Sequence, residues 1–137
     1  EKVVGCLFTQ RIEEETDIER KTSKDLSSLH SGKGKIVQLL RISVSPQFQG
    51  LGLSHALIEG ALRLLQEQGK VKKVVAVTRC SSFEDNSGEY EKYVHTCKDP
   101  TIAFHVGRGA KIVKILPNFR NEDIANHGHG VLISYDI

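Results

Sequence analysis

Short apolar runs alternate with polar stretches along this chain, and their spacing predicts a mixed order of strands and helices. Val3 to Thr9 reads as a first strand, and Arg11 to Lys35 as a long, polar and mobile connection with at most one helical turn. Ile36 to Val44 is a second strand, ended by Pro46. Leu53, Ala56, Leu57, Gly60, Ala61, Leu64 and Leu65 then fall at helical spacing and predict one apolar stripe on a helix beginning near Leu53. Gly69 is its C-cap. Val71 to Thr78 is a third strand, nearly all apolar over Val74 to Val77, as in the centre of a sheet. Ser81 to Asp99 is polar and loop-like. Asp99-Pro100 marks a helix start, with Asp as N-cap and Pro at the first position. That short helix passes through His105 and ends at Gly107 or Gly109. Lys111 to Leu116 is a fourth strand stopped by Pro117, Asn118 to Gly130 is irregular, and Val131 to Tyr135 is a last strand. This order belongs to the α/β or α+β class.

Composition narrows the picture only slightly. At 137 residues the chain is sized for one domain, read as residues 1–137, with 39% hydrophobic and 26% charged residues. A net charge of +2 argues for neither a nucleic-acid nor a membrane surface. No run is apolar enough to span a membrane, and no signal-peptide pattern opens the chain, so a cytoplasmic location is expected. Cys6, Cys80 and Cys97 are odd in number and match no zinc spacing, which reads as free thiols in a reducing compartment. The absence of Met suggests a processed product or a piece of a longer polypeptide.

Candidate chemistry concentrates between the second strand and the first long helix. Gln47, Gly50 and Gly52 stand in the spacing Q-x-x-G-x-G. Two glycines let a backbone turn tightly and approach a ligand without a Cβ in the way. The N–H groups of such a turn, with those of the following helix start, favour an anion. Neither nucleotide motif fits: Gly52 is followed by Leu53-Ser54 and not Lys-Ser/Thr, and His55 stands where a Rossmann turn needs its third glycine. A turn whose glycines serve packing alone is the plainer reading.

Gln47 to Gly52, with the element order around it, resembles the acyl-coenzyme A motif of the GNAT (GCN5-related N-acetyltransferase) superfamily. The resemblance covers roughly Ile36 to Ile137, and Val3 to Thr9 fits the preceding strand. It implies a GNAT fold of α/β (α+β) class, a central mixed sheet flanked by helices, with the family's N-terminal elements apparently missing. It also implies a coenzyme A thioester as substrate, bound by Gln47, Phe48, Gln49, Gly50, Leu51, Gly52, Leu53 and Ser54. Ile42, Ser43 and Val44 would offer an open edge to the pantetheine arm. Where acetyltransferases of this family carry a tyrosine in Phe-Tyr-x-x-x-Gly, this chain has His105 in Phe104-His-Val-Gly-Arg-Gly109.

A narrower resemblance lies in Val77-Thr-Arg-Cys80, Phe104-His105, Pro117-Asn-Phe-Arg120 and Asn126 to Asp136. These segments are similar to GNAT-like domains of polyketide synthase loading modules, of the curacin type. That group decarboxylates malonyl-coenzyme A and has been assigned acetyl transfer to an acyl carrier protein. The resemblance implies Thr78 and His105 as the catalytic pair and Arg120 as a residue for the malonyl carboxylate or a carrier-protein phosphate. It implies no metal. A tunnel Trp of that group has no counterpart, since the chain contains no Trp.

Those residue types suit the reaction. Loss of CO2 from a malonyl thioester leaves an enolate, whose oxygen needs oriented donors. Each residue also has a plainer role: Thr78 in a strand, His105 at a helix C-terminus, Arg120 in a surface ion pair. His127 and His129 flank Gly128 without a third metal ligand, His55 near the helix start is in reach of a phosphate or, as the plainer reading, faces solvent, and nothing marks Cys80 as an activated nucleophile. Three functions stay open: malonyl-coenzyme A decarboxylation with or without transfer to a carrier protein, amine N-acetylation using His105, and acyl-coenzyme A binding without catalysis.

Overall fold

Five strands form one mixed sheet in the order β1-β2-β3-β5-β4 in a computed structural model that describes residues 2–137. The strands are β1 (Gly5–Ile12), β2 (Ile36–Val44), β3 (Lys73–Thr78), β4 (Ala110–Leu116) and β5 (Gly130–Tyr135). The helices are α1 (Thr16–Glu19), α2 (Leu53–Gln68), α3 (Tyr90–His95) and α4 (Pro100–Val106). β2 and β3 are parallel and the other neighbours antiparallel, so the sheet is mixed and flanked by helices.

Both faces of the sheet are covered. Val37, Leu39, Val74, Ala76, Val131, Ile133 and Tyr135 point to one side, where Ile58 of α2, Val94 of α3 and Ile102 of α4 bury themselves. On the other side Ile36, Val75 and Leu132 meet Ile12, Ile18 and Phe119. Alternation along each strand divides the two sets, as the period of a strand requires.

The segment read as a polar connection is partly built into this second layer. β1 runs on to Ile12, past the expected end at Thr9, because Ile12 and Ile18 are fully buried there. Gln10 donates from Nε2 to Gln38 Oε1 at 2.8 Å and to the Leu26 carbonyl at 2.9 Å. Polar residues at 10 and 11 hid this strand end, since their partners lie far along the chain. A 3-10 helix spans Ser23–Leu29, and the loop-like 81–99 stretch contains α3, whose Tyr90 and Val94 are buried.

Helix α2 starts at Leu53 and stops at the Gly69 C-cap (φ 67°), as predicted, but its apolar stripe is turned. Ile58 is its fully buried residue, and Leu62 and Leu65 pack against the same core. Leu64 is 62% exposed. Leu57, Gly60, Ala61 and Leu64 instead border a shallow groove against Leu7 of β1. The helix has apolar residues on more than one face, and the sheet selects among them.

The feature that positions the site is a split between β2 and β3. Their pairing runs only from Ile36↔Lys73 to Leu39↔Ala76, although both strands continue. The split begins at a bulge: Phe8 pairs with Arg41 and Thr9 with Leu39, leaving Leu40 without an opposite residue on β1. An extra residue bends its strand and increases the local twist. β2 therefore diverges from β3 and exposes the edge of Leu40 to Val44 on that side. Its other edge stays paired through Gly5↔Val44, Cys6↔Ser43 and Leu7↔Ile42.

Candidate active site

The turn after β2 is assembled from local bonds. Pro46–Phe48 form a 3-10 turn in which Phe48 N–H donates to the Ser45 carbonyl at 2.8 Å. Gln49 Nε2 donates back to the Val44 carbonyl at 3.1 Å. Gly50 and Gly52 both sit at φ 79°, the left-handed region that a side chain resists. Gly52 is the N-cap of α2 and offers no side chain to the first-turn N–H groups. The donors at this helix start therefore keep their hydrogen-bonding capacity for a ligand. A cavity of about 240 Å3 lies there, bordered by Val44, Phe48, Gln49, Gly50, Gly52, Leu53 and Ser54 of the predicted set. Gln47 is exposed on the turn, Leu51 is 67% exposed, and Ser43 Oγ instead accepts from Arg41 Nε at 3.1 Å.

Three further residues border this cavity that the motif did not mark, His55, Phe104 and Arg108. Arg108 follows α4, and its Nε donates to His55 Nδ1. His55 is thus held inside a side-chain network and not simply turned to solvent. Its Nε2 lies 2.8 Å from Glu59.

The second cavity, about 210 Å3, occupies the split itself. Thr78 and His105 both line it, with Leu39 to Ile42 on one wall and Ala76 and Val77 on the other. Residues 27 positions apart by number meet because β3 ends beside the gap and α4 packs over the same face. Asp99 fixes that helix. Its buried carboxylate accepts from Thr101 and Ile102 N–H at 3.1 and 3.4 Å, from Ser81 and Ser82 N–H at 3.0 and 2.8 Å, and from Tyr93 Oη at 2.9 Å. Burial alone pushes this carboxyl up, but the N–H donors of Ser81 and Ser82 and the Tyr93 hydroxyl outweigh it and hold it below the ordinary carboxylate range.

His105 itself is kept neutral. Burial pulls its pKa from 6.5 down to about 4, and the Arg108 charge adds to the effect. Its Nδ1 lies 2.7 Å from the Tyr135 hydroxyl. Tyr135 is almost fully buried, and burial raises its phenol to about 12, so the O–H remains protonated. When that O–H donates to Nδ1, the second ring nitrogen, Nε2, carries the proton and becomes a donor. Tyr135 is the partner that the sequence reading left out. Its only signal was a polar tip at the end of an apolar strand.

Arg120 lies elsewhere. It sits in the loop after β4, tied by its N–H to the Gly128 carbonyl at 3.0 Å, with its guanidinium 5.8 Å from the Phe119 ring centroid. It is not among the residues lining the split; the cation that does line it is Arg41. Cys80 is buried, and burial raises its thiol to about 11, which leaves it a poor nucleophile. His127 Nε2 lies 2.9 Å from Asp85 Oδ1. Among the described residues no three His, Cys, Asp or Glu side chains gather as a metal-ligand set.

A donor-rich Gly turn beside a split sheet defines the class. The model of the acetyltransferase (GNAT) family matches residues 1–94, and the chain belongs to that family. Its backbone is similar to the loading GNATL domain of CurA from Lyngbya majuscula, at 38% identity and TM-score 0.94, over 98% of this chain and 71% of that one. It is also similar to the GphF GNAT-like decarboxylase in complex with isobutyryl-CoA, at 30% identity and TM-score 0.91, over 98% and 72%. Malonyl-CoA decarboxylase from Rhodopseudomonas palustris shares the fold at 11% identity and TM-score 0.65, over 96% of this chain and 43% of that one. No curated protein sequence matches the chain. No helix among the described residues is long and apolar enough to cross a membrane.

Proposed function

We propose that this chain is a single acyl-coenzyme A-binding domain that decarboxylates malonyl-coenzyme A in polyketide chain initiation. The observation that carries the reading is the meeting of Thr78 and a neutral His105 in one cavity, beside the Gly turn. Similarity to the CurA loading domain and to the GphF decarboxylase supports it. The Gly turn and first turn of α2 take the pyrophosphate, and the unpaired edge of β2 along Ile42 to Val44 receives the amide-bearing pantetheine arm. The thioester then lies in the split.

The malonyl C–C bond breaks there, CO2 leaves, and the electron pair becomes an enolate on the thioester. Thr78 Oγ1 and His105 Nε2 donate to the enolate oxygen. A neutral imidazole is suited to this, because the donor stays in place without a charge that burial disfavours. The enolate carbon takes its proton from water, giving the acetyl thioester. No step needs a metal. Arg120 is the residue proposed for the malonyl carboxylate or a carrier-protein phosphate, with Arg41 its competitor from within the cavity. Transfer of the acetyl group to an acyl carrier protein, beside neighbouring synthase domains in the cytoplasm, is the further part of this reading.

The test is mass spectrometry of malonyl-coenzyme A incubated with the protein, His105→Ala, Thr78→Ala, Arg120→Gln and Arg41→Gln. Acetyl-coenzyme A is expected from the parent, reduced about a hundredfold or more in the first two variants. The carboxylate residue is the arginine whose loss raises KM. A folded parent that binds coenzyme A without releasing CO2, yet acetylates an amine from acetyl-coenzyme A, would replace this reading with N-acetylation. Binding with no product from either donor would leave an acyl-coenzyme A module.

A further inference from the structure

The Gly turn offers neutral donors, whereas coenzyme A carries several phosphate charges. Resting on the acyl-coenzyme A reading, we propose that Arg108 is the cationic wall of this cradle and makes it selective for phosphate-bearing thioesters over bare pantetheine ones. Arg108 borders the same cavity as Gly50, Gly52 and Ser54, although it stands more than fifty residues later in the chain.

Its side chain is held in place from two sides. The guanidinium carbon lies 4.9 Å from the Phe104 ring centroid, and Nη1 donates to the Phe104 carbonyl at 3.2 Å. Nε donates to His55 Nδ1, so His55 carries its proton on Nε2 and donates it to Glu59 Oε1 at 2.8 Å. This chain from α4 to α2 commits Nε and one Nη1 hydrogen. Among the described residues no carboxylate lies within salt-bridge distance of Arg108, and no acceptor takes Nη2. A planar fork with free N–H groups beside a row of backbone donors is a geometry for phosphate. Glu59 meets the far nitrogen of His55 and makes no direct contact with the guanidinium.

A plain strut between α4 and α2 predicts something different. Loss of a strut lowers stability and weakens every ligand of the site alike. Loss of a phosphate contact weakens coenzyme A and spares pantetheine, which has no phosphate. Titration calorimetry with free coenzyme A and with pantetheine separates them, using the parent, Arg108→Gln and Arg108→Lys, each checked by thermal melting. Arg108→Gln is expected to weaken coenzyme A about tenfold to a hundredfold, the usual range for a charged hydrogen bond, and to collapse the preference over pantetheine. Arg108→Lys keeps the charge without the fork and is expected between the two; it also serves if the Gln variant fails to fold. Equal weakening of both ligands, or unchanged coenzyme A affinity, would overturn the role of Arg108 while leaving the acyl-coenzyme A reading intact. A parent that binds no coenzyme A would sink both.

Discussion

Tyr135 and His105 show how one hydroxyl sets the chemistry of a distant ring. The imidazole is half-buried and neutral, and its orientation depends on the 2.7 Å contact with Tyr135. Removing that hydroxyl leaves Nδ1 without its partner and frees the choice of tautomer. Tyr135→Phe is therefore expected to cost about 1–2 kcal/mol of stability in urea unfolding. Malonyl thioester turnover is expected to fall about tenfold or more through kcat, with KM little changed, since the donor's aim is lost and not the binding surface. A rise in KM with kcat unchanged would place Tyr135 outside the catalytic network. The sequence made His105 visible because it replaces an expected tyrosine in a recognisable segment. It could not make Tyr135 visible, because the contact joins a helix to a strand 30 residues later.

At the scale of elements, α4 depends on a single carboxylate. Asp99 was legible from Asp-Pro alone, as an N-cap. The additional bonds from Ser81, Ser82 and Tyr93 were not, and they make it the tie between α4, α3 and the end of β3. Asp99→Ala removes a cap and takes the buried acceptor away from Ser81, Ser82, Tyr93, Thr101 and Ile102, so a loss of about 2–4 kcal/mol is expected in urea unfolding. A loss under 1 kcal/mol would mean that the cap acts alone. The Leu40 bulge works at the same scale: one unpaired residue opens the cavity between strands that otherwise form a continuous parallel pair. No local sequence signal distinguishes Leu40 from Leu39, because a bulge is a property of two registers and not of one residue.

For the molecule as a whole, the site sets a stability profile. At pH 5 the folded protein holds His105 neutral, with a pKa of about 4, while an unfolded imidazole of ordinary pKa 6.5 is largely protonated. The unfolded chain then binds more protons, so stability rises with pH between about 4 and 6.5 and is fully present above that window. Asp99 acts below it: its depressed carboxyl stabilises the fold at neutral pH and that contribution is lost as the pH falls under the ordinary carboxylate value. Urea midpoints measured from pH 7.5 to 4.5 are expected to decline, and His105→Gln to flatten that decline. A slope untouched by the substitution would show that other groups cause it.

Sequence alone determined what contiguous residues can encode: the positions of the central strands, the start and stop of α2, the glycines at positive φ after β2, and the cap at Asp99. Each follows from backbone sterics or a donor within a few residues. Tertiary structure decided the rest. It chose which face of α2 is buried, placed the split at Leu40, brought Thr78 to His105, seated His105 on Tyr135, and carried Arg108 to the Gly turn. Those outcomes depend on strand register and on packing between distant segments, and the free energy that selects them exists only when both partners are present.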